Sequence, residues 1–163
     1  MFCNKLLVLA SFACLIACSD SKNEPENPLY SQLESTETGI DFENKVENEK
    51  DMNIFKYRNF YNGGGVAIGD INNDGLSDVY FTSNQGENKL YLNKGNMSFE
   101  DISKQAGIVG KKFWSTGVTF ADINGDGLMD IYVCNSGSLD LRGNQLYLNQ
   151  GNKAGIPRFK EVA

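Results

Sequence analysis

Short apolar runs alternate along this chain with clusters of glycine, asparagine and aspartate. From about residue 64 onward, the runs are rich in valine, isoleucine, tyrosine and phenylalanine, and each is bounded by turn-forming residues. This length and composition predict β-strands joined by tight turns. The first four strands are predicted at about 65–69, 78–82, 89–93 and 98–102. The pattern therefore predicts an all-β domain.

The strand pattern occurs twice. Residues 65–81 match residues 117–133 at an offset of 52, and residues 88–96 match residues 144–152 at an offset of 56, because the second copy has an insertion around 136–143. Four short strands repeated at this period are typical of β-propeller blades. We therefore predict two four-stranded blades of an incomplete β-propeller. The predicted blades span about residues 64–107 and 116–163, within a repeat region of residues 52–163.

Each repeat carries a nine-residue loop of the form D-x-N-x-D-G-x-x-D. Oxygen-bearing side chains at positions 1, 3, 5 and 9 can be aimed at one centre by a tight turn, and position 7 can offer its backbone carbonyl. The predicted ligands are Asp70, Asn72, Asp74, Leu76 and Asp78 in the first loop and Asp122, Asn124, Asp126, Leu128 and Asp130 in the second. Such all-oxygen sets suit a hard cation, so we predict two Ca²⁺ sites. The alternative is a pair of turns that bind nothing.

The first 17 residues have the features of a signal peptide. Lys5 supplies the positive charge, and the uncharged run 6–17 is shorter than the roughly 20 residues that span a bilayer. The run ends in Leu-Ile-Ala before Cys18, which resembles the bacterial lipobox and implies that Cys18 is lipidated. Two or more acyl chains anchor a protein stably to a membrane. An ordinary secretory signal with a chance cysteine is the alternative.

The acidic charge is concentrated directly after this segment. Residues 19–51 hold ten acidic and three basic residues, whereas residues 52–163 hold 11 of each. A segment of this kind predicts a disordered acidic tether, assigned to residues 18–51. Residues 19–24 are similar to the export signals of some Gram-negative lipoproteins. The expected location is therefore the outer membrane, lipid-anchored at the cell surface, although 19–24 could equally be a solvated linker.

Composition excludes several classes of catalytic site, metal site and partner. The absence of histidine excludes a Ser-His-Asp triad, a Cys-His pair and histidine-ligated metals. The loop aspartates are accounted for as metal ligands, which leaves no catalytic residues and predicts a protein that is not an enzyme. Neutral blades and an acidic tether argue against nucleic acid as a partner.

The repeats resemble a known family. Together with the two loops, the stretches 60–70 and 114–118 resemble FG-GAP/VCBS repeats, the blades of integrin-like propellers. They are similar to one branch in particular, the bacterial surface lipoproteins with an ASPIC/UnbV module, which is similar to cartilage acidic protein. The resemblance implies calcium in the loop between the first two strands of a blade, held by the ten positions named above. Two blades fall short of the 4–8 of a typical propeller. We therefore expect the front of a longer chain, whose further blades are partners.

The resemblance favours a binding or adhesion module for a glycan or a protein, because propellers present loops on a rigid scaffold. The alternative is a non-catalytic fragment of a polysaccharide-processing propeller enzyme. For the aromatic residues, packing is expected for Trp114 in preference to stacking on a sugar, and an extra strand is expected around 55–61. Two blades in isolation are expected to expose Tyr80, Tyr91, Tyr132 and Tyr147 on bare outer faces.

Overall fold

Two antiparallel sheets of four strands make up the body of the protein. The computed structural model describes residues 28–109, 114–136 and 143–163. Each sheet is a meander, with its strands in sequence order. The first sheet comprises β1 Val66–Gly69, β2 Asp78–Phe81, β3 Lys89–Asn93 and β4 Phe99–Asp101. The second comprises β5 Trp114–Ala121, β6 Asp130–Ser136, β7 Gln145–Lys153 and β8 Ile156–Glu161. The prediction of two four-stranded propeller blades is confirmed.

Two single-turn helices accompany the sheets within the described ranges. They are α1 Ser35–Thr38 and α2 Ser103–Ala106, and α2 lies in the connection between the blades. Among the described residues, no helix has the length and apolar character needed to cross a membrane. The predicted signal peptide, Cys18 and residues 137–142 of the insertion lie outside the described residues.

The core lies where the two blades meet. Tyr80 is fully buried, and its ring lies edge-on to that of Phe120, with ring centroids 6.4 Å apart. Alternate residues of several strands belong to this core, such as Leu90 and Leu92 of β3 and Ile131 and Val133 of β6, as the period of two in a β-strand requires. The core residues are Ala67, Ile71, Tyr80, Leu90, Leu92, Ile102, Ala106, Ile108, Ile131, Val133, Tyr147 and Phe159. Apolar burial of this kind is what holds one blade to the other.

Part of the predicted tether is an ordered N-terminal arm, residues 38–47, that lies on the outer face of the first blade. The ring of Phe42 stacks on that of Phe81 with centroids 4.9 Å apart, and Asp41 accepts a hydrogen bond of 2.8 Å from the hydroxyl of Tyr91. Asn44 donates to Asn84 at 2.8 Å. The prediction of disorder is wrong for this segment. Exposed and half-buried residues alternate along it, so Glu43 and Glu47 face solvent while Phe42 and Asn44 contact the blade.

The expected exposure of the tyrosines is also wrong. Tyr80, Tyr91 and Tyr147 are buried and Tyr132 is half-buried. Tyr80 and Tyr147 belong to the core between the blades, and Tyr91 lies against the arm. The apolar residues exposed on the blades include Val66, Ile68 and Ile123.

Trp114 packs against aromatic residues that precede the first blade. It is 5% exposed, and its ring centroid lies 5.2 Å from that of Phe60 and 5.4 Å from that of Tyr57. The packing interpretation is therefore confirmed. The extra strand expected around 55–61 is wrong, because this segment forms successive turns, with Phe60 buried and Phe55 almost fully exposed.

Candidate metal centre

The first loop, residues 70–78, connects β1 to β2 and is closed by its own side chains. The carboxylate of Asp70 accepts the N–H groups of Asp74 at 3.0 Å and Gly75 at 2.7 Å. The carboxylate of Asp74 accepts the N–H of Leu76 at 2.8 Å. Gly75 has a φ of +86°, a left-handed conformation that a side chain would strain. These bonds turn the chain sharply between the two strands.

The second loop, residues 122–130, repeats this geometry between β5 and β6. Asp122 accepts the N–H groups of Asp126 at 3.1 Å and Gly127 at 2.9 Å, and Asp126 accepts the N–H of Leu128 at 2.9 Å. Gly127 has a φ of +84°. The sequence repeat is thus a structural repeat down to individual hydrogen bonds.

The last aspartate of each loop is buried and ties the loop to a more distant strand. Asp78 is fully buried, and its two carboxylate oxygens accept the N–H groups of Ile71 at 2.9 Å and Asn93 at 2.8 Å. Asp130 is likewise buried and accepts the N–H groups of Ile123 at 3.0 Å and Asn149 at 2.8 Å. The sequence suggested only a ligand role for these two residues, because it does not show which strand end lies beside them.

Each loop carries three carboxylates, of which the last is buried. Burial raises the pKa of Asp78, and the nearby Asp74 and Asp70 charges add to this, against the lowering effect of the backbone N–H groups. Folding therefore favours protonated Asp78, and its contribution to stability falls as pH rises through the raised pKa. The exposed Asp122 differs, because the N–H of Gly127 above all lowers its pKa. A cation beside Asp78 would offset the cost of ionising it.

The donor set of each loop fits a hard cation. Three carboxylates, one amide oxygen and one backbone carbonyl are the oxygen ligands that Ca²⁺ takes. As the described side chains are placed, however, no three acidic or cysteine groups converge closely enough to hold a metal. Asp74, for example, receives a hydrogen bond of 2.8 Å from the side chain of Asn72. Ion binding therefore requires rotation of loop side chains, whereas the backbone turn is already formed.

Sequence reasoning missed two asparagines of the second blade that reach the first loop. The side-chain amide of Asn149 donates to the carbonyl of Ile71 at 3.1 Å, and that of Asn152 donates to the carbonyl of Asn72 at 2.7 Å. Both lie in the Asn-x-Gly-Asn segment of the second repeat, for which the sequence predicted a hairpin turn. That prediction is wrong, because residues 149–152 form a bulge within β7 and the chain reverses at Ala154 and Gly155, both of which have positive φ. We call Asn149 and Asn152 the inter-blade clamp.

A second polar contact between the blades lies around Asn84. Its side-chain amide donates to the carbonyls of Gly63 and Ser115, both at 3.0 Å, and its oxygen accepts from Asn44 of the arm. Asn84 therefore joins the arm, the first blade and β5. It lies outside the repeated positions, so the repeat pattern gave no signal for it.

Comparison with known proteins agrees with this geometry. The family model of the FG-GAP-like repeat matches residues 70–133, from the start of the first loop to β6. Cartilage acidic protein 1 of Xenopus tropicalis is 37% identical over 106 residues, which cover 64% of this chain and 16% of that protein. The human protein of the same name is 35% identical over 104 residues, covering 63% of this chain and 15% of that protein.

An integrin is also similar to this chain. Integrin alpha-4 of Xenopus laevis is 28% identical over 112 residues, which cover 62% of this chain and 11% of the integrin. The chain thus spans between 11% and 16% of the length of the curated relatives it matches.

Proposed function

We propose, from the membership of residues 70–133 in the FG-GAP-like repeat family, that this chain is a calcium-stabilised propeller module that binds a glycan or a protein at the cell surface. The observation that carries the proposal is the recurrence of one loop geometry in both blades. Each loop opens with an exposed or half-exposed aspartate that accepts several backbone N–H groups, and each closes with a buried one. A binding role suits this scaffold, because rigid sheets present connecting loops in fixed positions.

In each loop we assign the ion to the oxygen donors at positions 1, 3, 5, 7 and 9. In the first loop these are Asp70, Asn72, Asp74, the carbonyl of Leu76, and Asp78; in the second they are Asp122, Asn124, Asp126, the carbonyl of Leu128, and Asp130. A bound Ca²⁺ supplies positive charge among carboxylates that otherwise repel one another. The chain itself supplies the turn, which the backbone N–H groups fix in place.

We predict that the full chain binds two Ca²⁺ ions and that Asp74→Ala and Asp126→Ala each remove one. Both side chains are exposed, so neither change should disturb the core. Saturating calcium should raise the melting temperature, because each occupied site adds about 2.7 kcal/mol to the free energy of unfolding at a hundredfold excess of calcium over Kd. Isothermal titration calorimetry gives the number of sites, and Glu100→Gln, an exposed acid outside the loops, is the control. Folded protein that takes up no calcium would contradict the proposal.

The same variants test whether ligand binding depends on calcium. A glycan array probed with the full chain in Ca²⁺ and again in EDTA should show retention that depends on calcium and weakens when both Asp74 and Asp126 are replaced. Calcium uptake without any retained glycan would direct the search to protein ligands. Release of new reducing ends from a bound polysaccharide would instead indicate an enzyme and overturn the assignment of a binding role.

Anchoring is a separate prediction, and it concerns a residue outside the described part of the chain. We expect Cys18→Ala to abolish lipid attachment and to remove the protein from the membrane fraction, since the lipid is joined to the cysteine sulfur. Cys14→Ala is the matched control, because Cys14 lies in the same apolar segment without a leucine three residues before it. Metabolic labelling with a fatty acid provides the measurement. Labelling that persists in Cys18→Ala would exclude this residue as the anchor.

A further inference from the structure

The two loops share most of their internal hydrogen bonds, the second loop having one more, from the N–H of Gly125 to Asp122 at 2.7 Å, but their surroundings differ. Ile71 in the first loop is 1% exposed, whereas Ile123, at the same position in the second loop, is 51% exposed. Asn72 is 8% exposed, and its counterpart Asn124 is exposed. Since the loop sequences are nearly identical, the difference comes from what lies beside each loop.

The neighbour of the first loop is the bulge in β7 between Asn149 and Asn152. Asn149, itself 2% exposed, donates one amide hydrogen to its own blade at Met129 and the other to the carbonyl of Ile71. Asn152 donates to the carbonyl of Asn72. The clamp therefore holds two consecutive backbone groups, one of which belongs to a predicted metal ligand.

The first repeat contains the same pair, and its own-blade bonds match. Asn93 donates to the carbonyl of Ser77 at 2.9 Å and accepts the N–H of Gly95 at 2.8 Å, just as Asn149 bonds Met129 and Gly151. Within the described residues, Asn93 makes no bond to the loop of another blade. Asn149 therefore makes the same bonds within its own blade as Asn93 and adds a bond to the loop of the other blade.

We propose that the clamp makes the first loop the tighter of the two calcium sites, so that the packing of one blade sets the ion affinity of its neighbour. This inference rests on the proposed function, in which both loops bind Ca²⁺. It assigns Asn149 and Asn152 as positioning residues, because they hold the loop backbone through its carbonyls and supply no ligand oxygen.

The physical basis is the ordering of the loop before the ion arrives. A free loop loses backbone freedom when it binds an ion, and a loop already held in its bound backbone conformation loses less. Both turns are already formed, but the clamp adds two cross-blade bonds to the backbone of the first loop. The second loop receives one such bond, from the side chain of Asn73 to the carbonyl of Gly127 at 3.1 Å, and its backbone is more exposed, so it has more freedom to lose. We expect the first loop to bind Ca²⁺ about tenfold more tightly, which corresponds to about 1.4 kcal/mol.

The test measures the first loop alone, in the full chain carrying Asp126→Ala. In this background, Asn152→Ala should weaken calcium binding severalfold, and the double change Asn149→Ala with Asn152→Ala should weaken it about tenfold. Gln150→Ala is the control, because Gln150 lies in the same bulge of β7 and its side chain donates only to its own blade. In the complementary Asp74→Ala background, Asn152→Ala should leave the affinity of the second loop unchanged.

A metal-free readout separates this inference from the proposed function. In EDTA, hydrogen exchange at the N–H groups of Asp74 and Gly75 should be slower than at those of Asp126 and Gly127, and Asn152→Ala should remove the difference. Equal affinities of the two loops, or an unchanged first loop in Asn152→Ala, would overturn the clamp while leaving calcium binding intact. Absence of calcium uptake would overturn the proposed function, and the exchange data would then decide the clamp by themselves.

Discussion

Replacing Asp78 with alanine is expected to lower the free energy of unfolding by about 3 kcal/mol, even in the absence of calcium. Asp78 is fully buried, and both of its oxygens accept backbone N–H groups, one from Ile71 and one from Asn93. Alanine leaves these two donors unpaired, and an unpaired buried donor costs about 1–3 kcal/mol. The melting temperature should fall by roughly 10 °C. Thermal and urea unfolding in EDTA provide the measurement.

Asp74→Ala is the matched control for this prediction. Asp74 belongs to the same loop and is also a predicted ligand, but its side chain is exposed. In EDTA its replacement should cost about 1 kcal/mol or less, because the bond that it accepts from the N–H of Leu76 is exposed and water can replace it. Asp78→Asn should be nearly as harmful as alanine, because an amide offers only one oxygen to two donors. Equal small losses for Asp74→Ala and Asp78→Ala would show that the buried aspartate acts only through the metal.

Replacing Trp114 with alanine should cost about 3–5 kcal/mol, the range for a large aromatic residue in a core. Trp114 is the first residue of β5 and packs between Tyr57 and Phe60, so it attaches the segment before the first blade to the second blade. The change should therefore weaken the association of the two blades. Chemical unfolding followed by circular dichroism measures the loss.

Two further variants serve as controls for the Trp114→Ala measurement. Trp114→Phe keeps an aromatic ring against Phe60 and should cost less than half as much as the alanine change. Asn62→Ala alters the position that corresponds to Trp114 in the first repeat, where the side chain is exposed, and should have little effect. If Trp114→Ala left stability unchanged but abolished glycan retention, the ring would be a ligand contact and the packing interpretation would have to be abandoned.

Local sequence was sufficient for the blades and the loops. The strands of the first blade start and end within one residue of the predicted positions, because apolar runs bounded by Gly, Asn and Asp leave few alternatives to short strands. Side chains at loop positions 1 and 5 make the predicted tight turn with N–H groups only two to five residues away. Such short-range geometry follows from spacing alone.

The N-terminal arm shows why charge composition led to a wrong prediction of disorder. Its acidic charge indicated disorder, but every second residue turns toward the first blade, and Phe42 finds an aromatic partner in Phe81. Net charge averages over both sides of a segment, whereas packing depends on one side only. The sequence contains the alternation of residues along the arm, but it does not show the surface of the first blade against which every second residue packs.

The sequence by itself determined the repeated unit of four strands and a tight acidic loop, although it placed the hairpin turn of the second blade at 149–152, which is a bulge within β7. Only the tertiary structure decided how equivalent residues of the two repeats differ. Asn149 reaches a neighbouring loop while Asn93 bonds within its own blade, and Ile71 is buried while Ile123 is exposed. The reason is that hydrogen bonds and burial depend on which groups are adjacent in space. Two identical segments acquire different environments as soon as one has a neighbouring blade beside its loop.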